Sequence, residues 1–178
     1  MARYARCIVL RYPDRMTAVL GRQIDVGYVA DMQALSRNDC LEKFGLAFDA
    51  FVLRGALFKE LWRRRVSAEA HRKHWQPVLN PINLEAAPVK DKEATANYSL
   101  LWFADCVVKA DPVAASRFVL APIASPEEKT SYRNIVGLLG PCWATGEPLR
   151  LNVPTLQGIM AEVLYRAPAY PSATEVKH

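Results

Sequence analysis

LRGALFKELWRRR (residues 53–65) and LQGIMAEVLYR (residues 156–166) read as one helix written twice. An offset of 103 lays Leu53 on Leu156, Gly55 on Gly158, Leu57 on Met160, Leu61 on Leu164, Trp62 on Tyr165 and Arg63 on Arg166. Leu53, Leu57 and Leu61 fall at i, i+4 and i+8, as do their counterparts, so each segment carries one apolar stripe. The same offset lays Asp49 on Asn152, two residue types whose side-chain oxygen accepts a first-turn amide. Each stripe is interrupted by a glycine, which costs about 1 kcal/mol relative to alanine inside a helix. The cost makes sense where another backbone approaches closely, and we expect the two glycines to mark such a place.

The likeness extends backwards from these helices. ARCIVLRYPD (5–14) lies over ADCVVKADPV (104–113), with Cys7 on Cys106, Val9 on Val108 and Pro13 on Pro112. Cys40 falls on Cys142. A start, a middle and an end thus recur in one order, the pattern of an internal repeat. The expected fold is all-α: two tandem four-helix units related by a pseudo-twofold, able to share one core. Helices are expected at about 3–11, 13–21, 28–40 and 50–65, then at about 98–109, 112–120, 126–139 and 153–166. Ser125, Pro126 and the acids after them form a strong helix start. Strand signals are weak. Residues 1–66 and 98–167 are the units. Residues 67–97, with three prolines and a possible helix at 67–75, form a connector, and 168–178 a loose tail.

Units of about 65 residues sit near the size at which one core barely outweighs chain entropy. The cysteines offer a staple for each, because the two members of a pair lie 33 and 36 residues apart. Four cysteines allow three pairings, and a repeat favours Cys7–Cys40 with Cys106–Cys142. Each bridge would stabilise the fold by about 3–4 kcal/mol. The competing reading is four buried thiols, since free cysteine is a common small core residue. The N-terminal apolar run Cys7–Leu10 is too short for a signal peptide, which makes a reducing cytoplasm the default. No run approaches the roughly 18 apolar residues of a membrane span.

Charge is uneven. The net charge is +5, yet residues 1–75 hold 14 Lys+Arg against 8 Asp+Glu, and the remainder 9 against 10. The surplus peaks at Arg63, Arg64 and Arg65, followed by Arg72, Lys73 and Trp75. That stretch suits an anionic partner such as nucleic acid; it also suits a solvated helix end, where cations oppose the dipole.

No motif carries chemistry. GxGxxG, the Walker loop, GxSxG, SxxK and HExxH are all missing from the chain. His71-x-x-His74 is a weak metal signal, and His71, His74 and His178 lie away from the cysteines in sequence. Glu60 and Glu162 read as solvated helix formers. Trp62, Trp75, Trp102 and Trp143 read as core or rim packing. The reading assigns no catalytic residue, metal or cofactor. Two functions follow: a non-enzymatic helical module that binds another protein or itself, or a nucleic-acid-binding protein using residues 63–75. An enzyme of unknown class comes third.

The pattern A-x-C-V-V, P, C-L/W and L-x-G-x-x-x-E-x-L-Y-R resembles a group of small helical, cysteine-paired proteins of alphaproteobacteria with no assigned activity. The resemblance covers about 4–66 and 98–167 and is stronger in the second unit. The first has Lys59-Glu60 and Trp62 where the second has Ala161-Glu162 and Tyr165. It implies a leader peptide, export and oxidation, hence a periplasmic or secreted protein, and it supplies no catalytic residues.

Overall fold

A computed structural model describes residues 1–22, 24, 27–36, 39–40, 49–71, 92–143 and 151–167, with backbone alone at 68–71 and 93. Among them the regular structure is entirely helical: α1 (Ala2–Arg11), α2 (Pro13–Gly21), α3 (Tyr28–Ser36), α4 (Ala50–His71), α5 (Lys92–Ala110), α6 (Pro112–Leu120), α7 (Pro126–Cys142) and α8 (Val153–Arg166). The all-α expectation holds for these residues.

The helix starts follow the local chemistry. Prolines open α2, α6 and α7, where the missing amide proton is not needed. Asp49 accepts the amides of Phe51 and Val52 at 2.9 and 3.0 Å, and Asn152 that of Thr155 at 2.9 Å. Ser125 accepts the Glu128 amide at 3.1 Å.

Several boundaries differ from expectation. Helix α4 runs to His71 without a break, so the residues 67–71 expected in the connector continue it. Helix α5 starts at Lys92 rather than about 98. Its first two turns, KEATAN, lack an apolar stripe but contain good helix formers, and Ala94 and Tyr98 are buried. Helix α3 stops at Ser36, whose hydroxyl bonds back to the Gln33 carbonyl at 2.7 Å. Helix α7 passes Pro141 to end at Cys142, and its last turn is held by Trp143, edge-on to Phe103 at 5.7 Å. The expected tail, 168–178, lies outside the described residues.

Helices α1 and α3 pack on α4, with α2 against α1 and α3; α5 and α6 pack on α8, with α7 against α5 and α6. Among the described helices the broadest contact is α4 on α8. Helix α8 is buried along its whole length from Leu156 to Arg166. Full burial of a Leu, Ile or Met there contributes about 1.5–3 kcal/mol each. One continuous apolar core reaches from Tyr4 through Leu57, Phe58 and Leu61 to Met160 and Leu164. Cys7 and Cys40 tie α1 to the turn after α3, and Cys106 and Cys142 tie α5 to the end of α7. Their Cα atoms stand 5.7 and 5.6 Å apart, within disulfide range.

Candidate functional site

Gly55 and Gly158 are the pivot of the α4–α8 crossing. A Cβ placed on either would lie 2.7 Å from the other's Cα, closer than side-chain carbons approach backbone. The close approach expected from the two glycines is thus present, and its cause is backbone against backbone. Only hydrogen at these positions lets two helices come so near.

That approach brings polar side chains of both helices together in dry surroundings. Arg54 donates from Nε to Glu162 at 2.7 Å and from Nη2 to the other carboxylate oxygen, a bidentate pair with both side chains 2% exposed. Arg166 donates from Nε to Glu162 at 2.9 Å and from Nη2 to the Leu20 carbonyl, at the C-terminal end of α2. One carboxylate therefore serves two guanidiniums, and a helix-terminal carbonyl takes part of the surplus positive charge. The Arg54 guanidinium lies 5.1 Å from the Tyr28 ring centre and 5.2 Å from that of Phe58. Its Nη1 is buried with no hydrogen-bond partner among the described residues.

Burial works to strip the Arg54 proton, but the charge and hydrogen bonds of Glu162, together with Tyr28, hold the pKa above the ordinary value. For Arg166 burial wins over the same carboxylate, and the pKa falls. Burial also raises Tyr28 and Tyr98, against the nearby Arg54 charge.

On the other side of the glycines, Lys59 donates to the Gln157 side-chain oxygen and, at 3.0 Å, to the Ala121 carbonyl. Gln157 in turn donates to the Phe118 and Ala121 carbonyls at 2.8 and 3.2 Å. Burial lowers the Lys59 amine to about 8, against the pull of Glu128. Trp62 reaches Ser116 at 2.9 Å and closes the same side.

The reading of Glu60 and Glu162 as solvated residues is corrected: Glu162 is buried between two arginines, and Glu60, 8% exposed, accepts both bonds of Arg63. Sequence reading missed Arg54, Lys59 and Gln157 altogether. The available signal was their position about the glycines, one residue before (Arg54, Gln157) and four after (Lys59, Glu162).

The basic run is partly turned inward. Arg65 stacks over the Tyr165 ring at 4.0 Å and donates to the Tyr165 carbonyl at 2.6 Å, while Arg63 is held by Glu60. Arg64 is half-buried. Arg72, Lys73, His74, Trp75 and His178 lie outside the described residues. The tryptophans divide: Trp62 is buried and Trp143 packs on Phe103, but Trp102 is 64% exposed, contrary to the packing role expected of it.

Two concavities are lined by described residues. An open groove of about 660 Å³ lies between α6 and the start of α7, lined by Arg117, Leu120, Ala121, Pro122, Pro126 and Glu127 among others. A smaller one of about 230 Å³, between α3 and the start of α4, is lined by Val29, Met32, Gln33, Asp49 and Leu53 among others. Neither is lined by cysteine, histidine or lysine. Among the described residues no helix is long and apolar enough to cross a membrane, and no three of His, Cys, Asp and Glu gather as a metal site. No family model, curated protein or solved structure matches the chain.

Proposed function

We propose that the chain is a non-enzymatic helical module for protein–protein interaction or structural support, built from two copies of one four-helix unit and exported to an oxidising compartment. The observation that carries the reading is where the perturbed ionisable groups sit. Arg54, Glu162, Arg166 and Lys59 hold α4 against α8, and none of them lines either of the two concavities described among these residues. Enzymes gather such groups in clefts; here they serve an internal contact.

The duplication draws support from four helices on either side of residues 72–91, with one cysteine pair in each set that joins its first helix to the end of, or the turn after, its third. Export draws support from those same pairs at disulfide distance, and it accords with the alphaproteobacterial group that the motifs resemble. A non-reducing peptide map of protein purified from its own cell tests oxidation and export together. It should give Cys7 linked to Cys40, Cys106 linked to Cys142, and a trimmed leader. Four freely alkylated thiols would overturn export.

Nucleic-acid binding by residues 63–75 is the competing reading, and a salt series separates them. Phosphate contacts release counterions, so affinity for a DNA or RNA oligomer would fall about 10³-fold or more between 50 and 200 mM salt if six or more phosphates were engaged. We expect no oligomer binding at 50 mM salt. A complex with that salt slope would move the function to nucleic acid.

A further inference from the structure

The α4–α8 crossing has the same form seen from either helix, apart from its charges. The residue before each glycine meets the residue four past the other: Arg54 meets Glu162, and Gln157 meets Lys59. A crossing with that reciprocity can be laid out between any two of these helices, and the charges choose among the pairings. Two copies of α4 crossed at Gly55 would set Arg54 against Lys59 at both ends, cation on cation in desolvated surroundings. Two copies of α8 crossed at Gly158 would set Glu162 against Gln157 at both ends, so neither carboxylate meets a guanidinium from across the seam. Only α4 on α8 supplies an opposite-charge pair. Like charges placed face to face are a strong device against the wrong partner.

This selection fixes which helices pair and leaves open which chain they belong to. Neither cysteine pair crosses the seam, because Cys7 and Cys40 precede His71 while Cys106 and Cys142 follow Lys92. Residues 72–91 are the chain that joins His71 to Lys92, a length that reaches at most about 70 Å. Every seam contact made within one chain is therefore available between two, with no disulfide broken.

We propose that two copies of this chain exchange halves, α4 of each lying on α8 of the other, so that the seam is also an interaction surface whose partner is a second copy. This takes from the reading above only the division into two halves, and it is independent of export and of any further partner. Because the contacts are the same in both forms, concentration decides between them. A joining stretch of 20 residues holds its halves at an effective concentration on the order of 1 mM, so exchange becomes visible when the chain refolds near that value.

Paired charge reversals test it. In an Arg54→Glu chain two carboxylates meet within one molecule; in a Glu162→Arg chain guanidiniums do. Only an exchanged dimer of one of each satisfies both seams, since the altered α4 lies on the altered α8 and the unaltered pair forms the second seam. Refolded together with disulfides intact, the two should give a 1:1 species of about 40 kDa, twice 19.9 kDa, by native mass spectrometry and light scattering. Neither variant alone should give a dimer. A mixture without the 1:1 species overturns the proposal. Should either variant precipitate, ¹⁵N-labelled and unlabelled native chains refolded together on the order of 1 mM decide instead. Dimers of mixed mass support exchange, and monomers alone overturn it. Halves of unlike structure would defeat the duplication and still permit the 1:1 species, so the two failures are distinguishable.

Discussion

The two sides of the α4–α8 crossing solve one problem with different chemistry. On one side Arg54, Glu162 and Arg166 form a fully desolvated ionic triad. On the other, half-buried Lys59 and buried Gln157 form a neutral–cation pair backed by carbonyls of α6 and the residue after it. The two pairs occupy matching positions about the glycines, so the backbone does not dictate the difference. Desolvation does. A carboxylate withdrawn from water needs cations beside it, whereas the Lys59 amine faces an uncharged amide, and its burial lowers the pKa to about 8. The ionic side gives the crossing its partner preference, and the neutral side closes it without a second buried charge pair.

Removing one charge from each side separates them directly. Glu162→Gln leaves Arg54 and Arg166 as uncompensated buried cations and should destabilise by about 3–5 kcal/mol in denaturant unfolding. Lys59→Met, which keeps the apolar stem but takes a donor from the Gln157 oxygen, should cost less, about 1 kcal/mol. Equal losses at the two positions would erase the distinction between the sides.

Making the sides alike is the next test. Lys59→Glu alone places a carboxylate against Gln157 and near Glu128, and Gln157→Arg alone places a guanidinium against Lys59. Each should destabilise, and the double variant should recover part of the loss. The expected coupling is on the order of 0.5–3 kcal/mol in a double-mutant cycle. Additive losses would mean that the two positions do not face one another.

The smallest expected effect is a pH dependence of the neutral side. Folded Lys59 gives up its proton near pH 8, against 10.5 for an ordinary lysine. Between those values the unfolded chain binds more protons, so the Lys59 contribution to stability rises with pH across about 8 to 10.5 and is least favourable below 8. The melting point of the native chain minus that of Lys59→Met should therefore increase from pH 7 to pH 10. A flat or falling difference would show that Lys59 is not desolvated.

Much of this arrangement was legible in the sequence. The caps at Asp49, Ser125 and Asn152, the prolines opening helices and the leucine stripes act over a few residues, so local reading finds them. The cysteine partners followed from the repeated spacing, and the glycines from their cost in a helix interior. The buried charges were not legible, because Glu162 on an isolated helix looks like any solvated glutamate. Its burial depends on a guanidinium 108 residues away. The inward turn of Arg65 has the same origin: the end of α8 lies beside it. The first turns of α5 carry no apolar stripe, and helix propensity with the buried Ala94 and Tyr98 holds them instead.

Helices α4 and α8 meet backbone to backbone at Gly55 and Gly158, and one substitution made at two glycines tests that crossing. Gly137, inside α7, has nothing within 4 Å of an added Cβ, whereas at Gly158 the Gly55 Cα stands 2.7 Å away. Alanine is favoured over glycine in a helix by about 1 kcal/mol, so Gly137→Ala should raise the melting point. Gly158→Ala should lower it, because forcing the helices apart costs about 1–3 kcal/mol against that gain. Opposite signs at the two positions are the expected result, and a melting point raised by Gly158→Ala as much as by Gly137→Ala would contradict the close crossing.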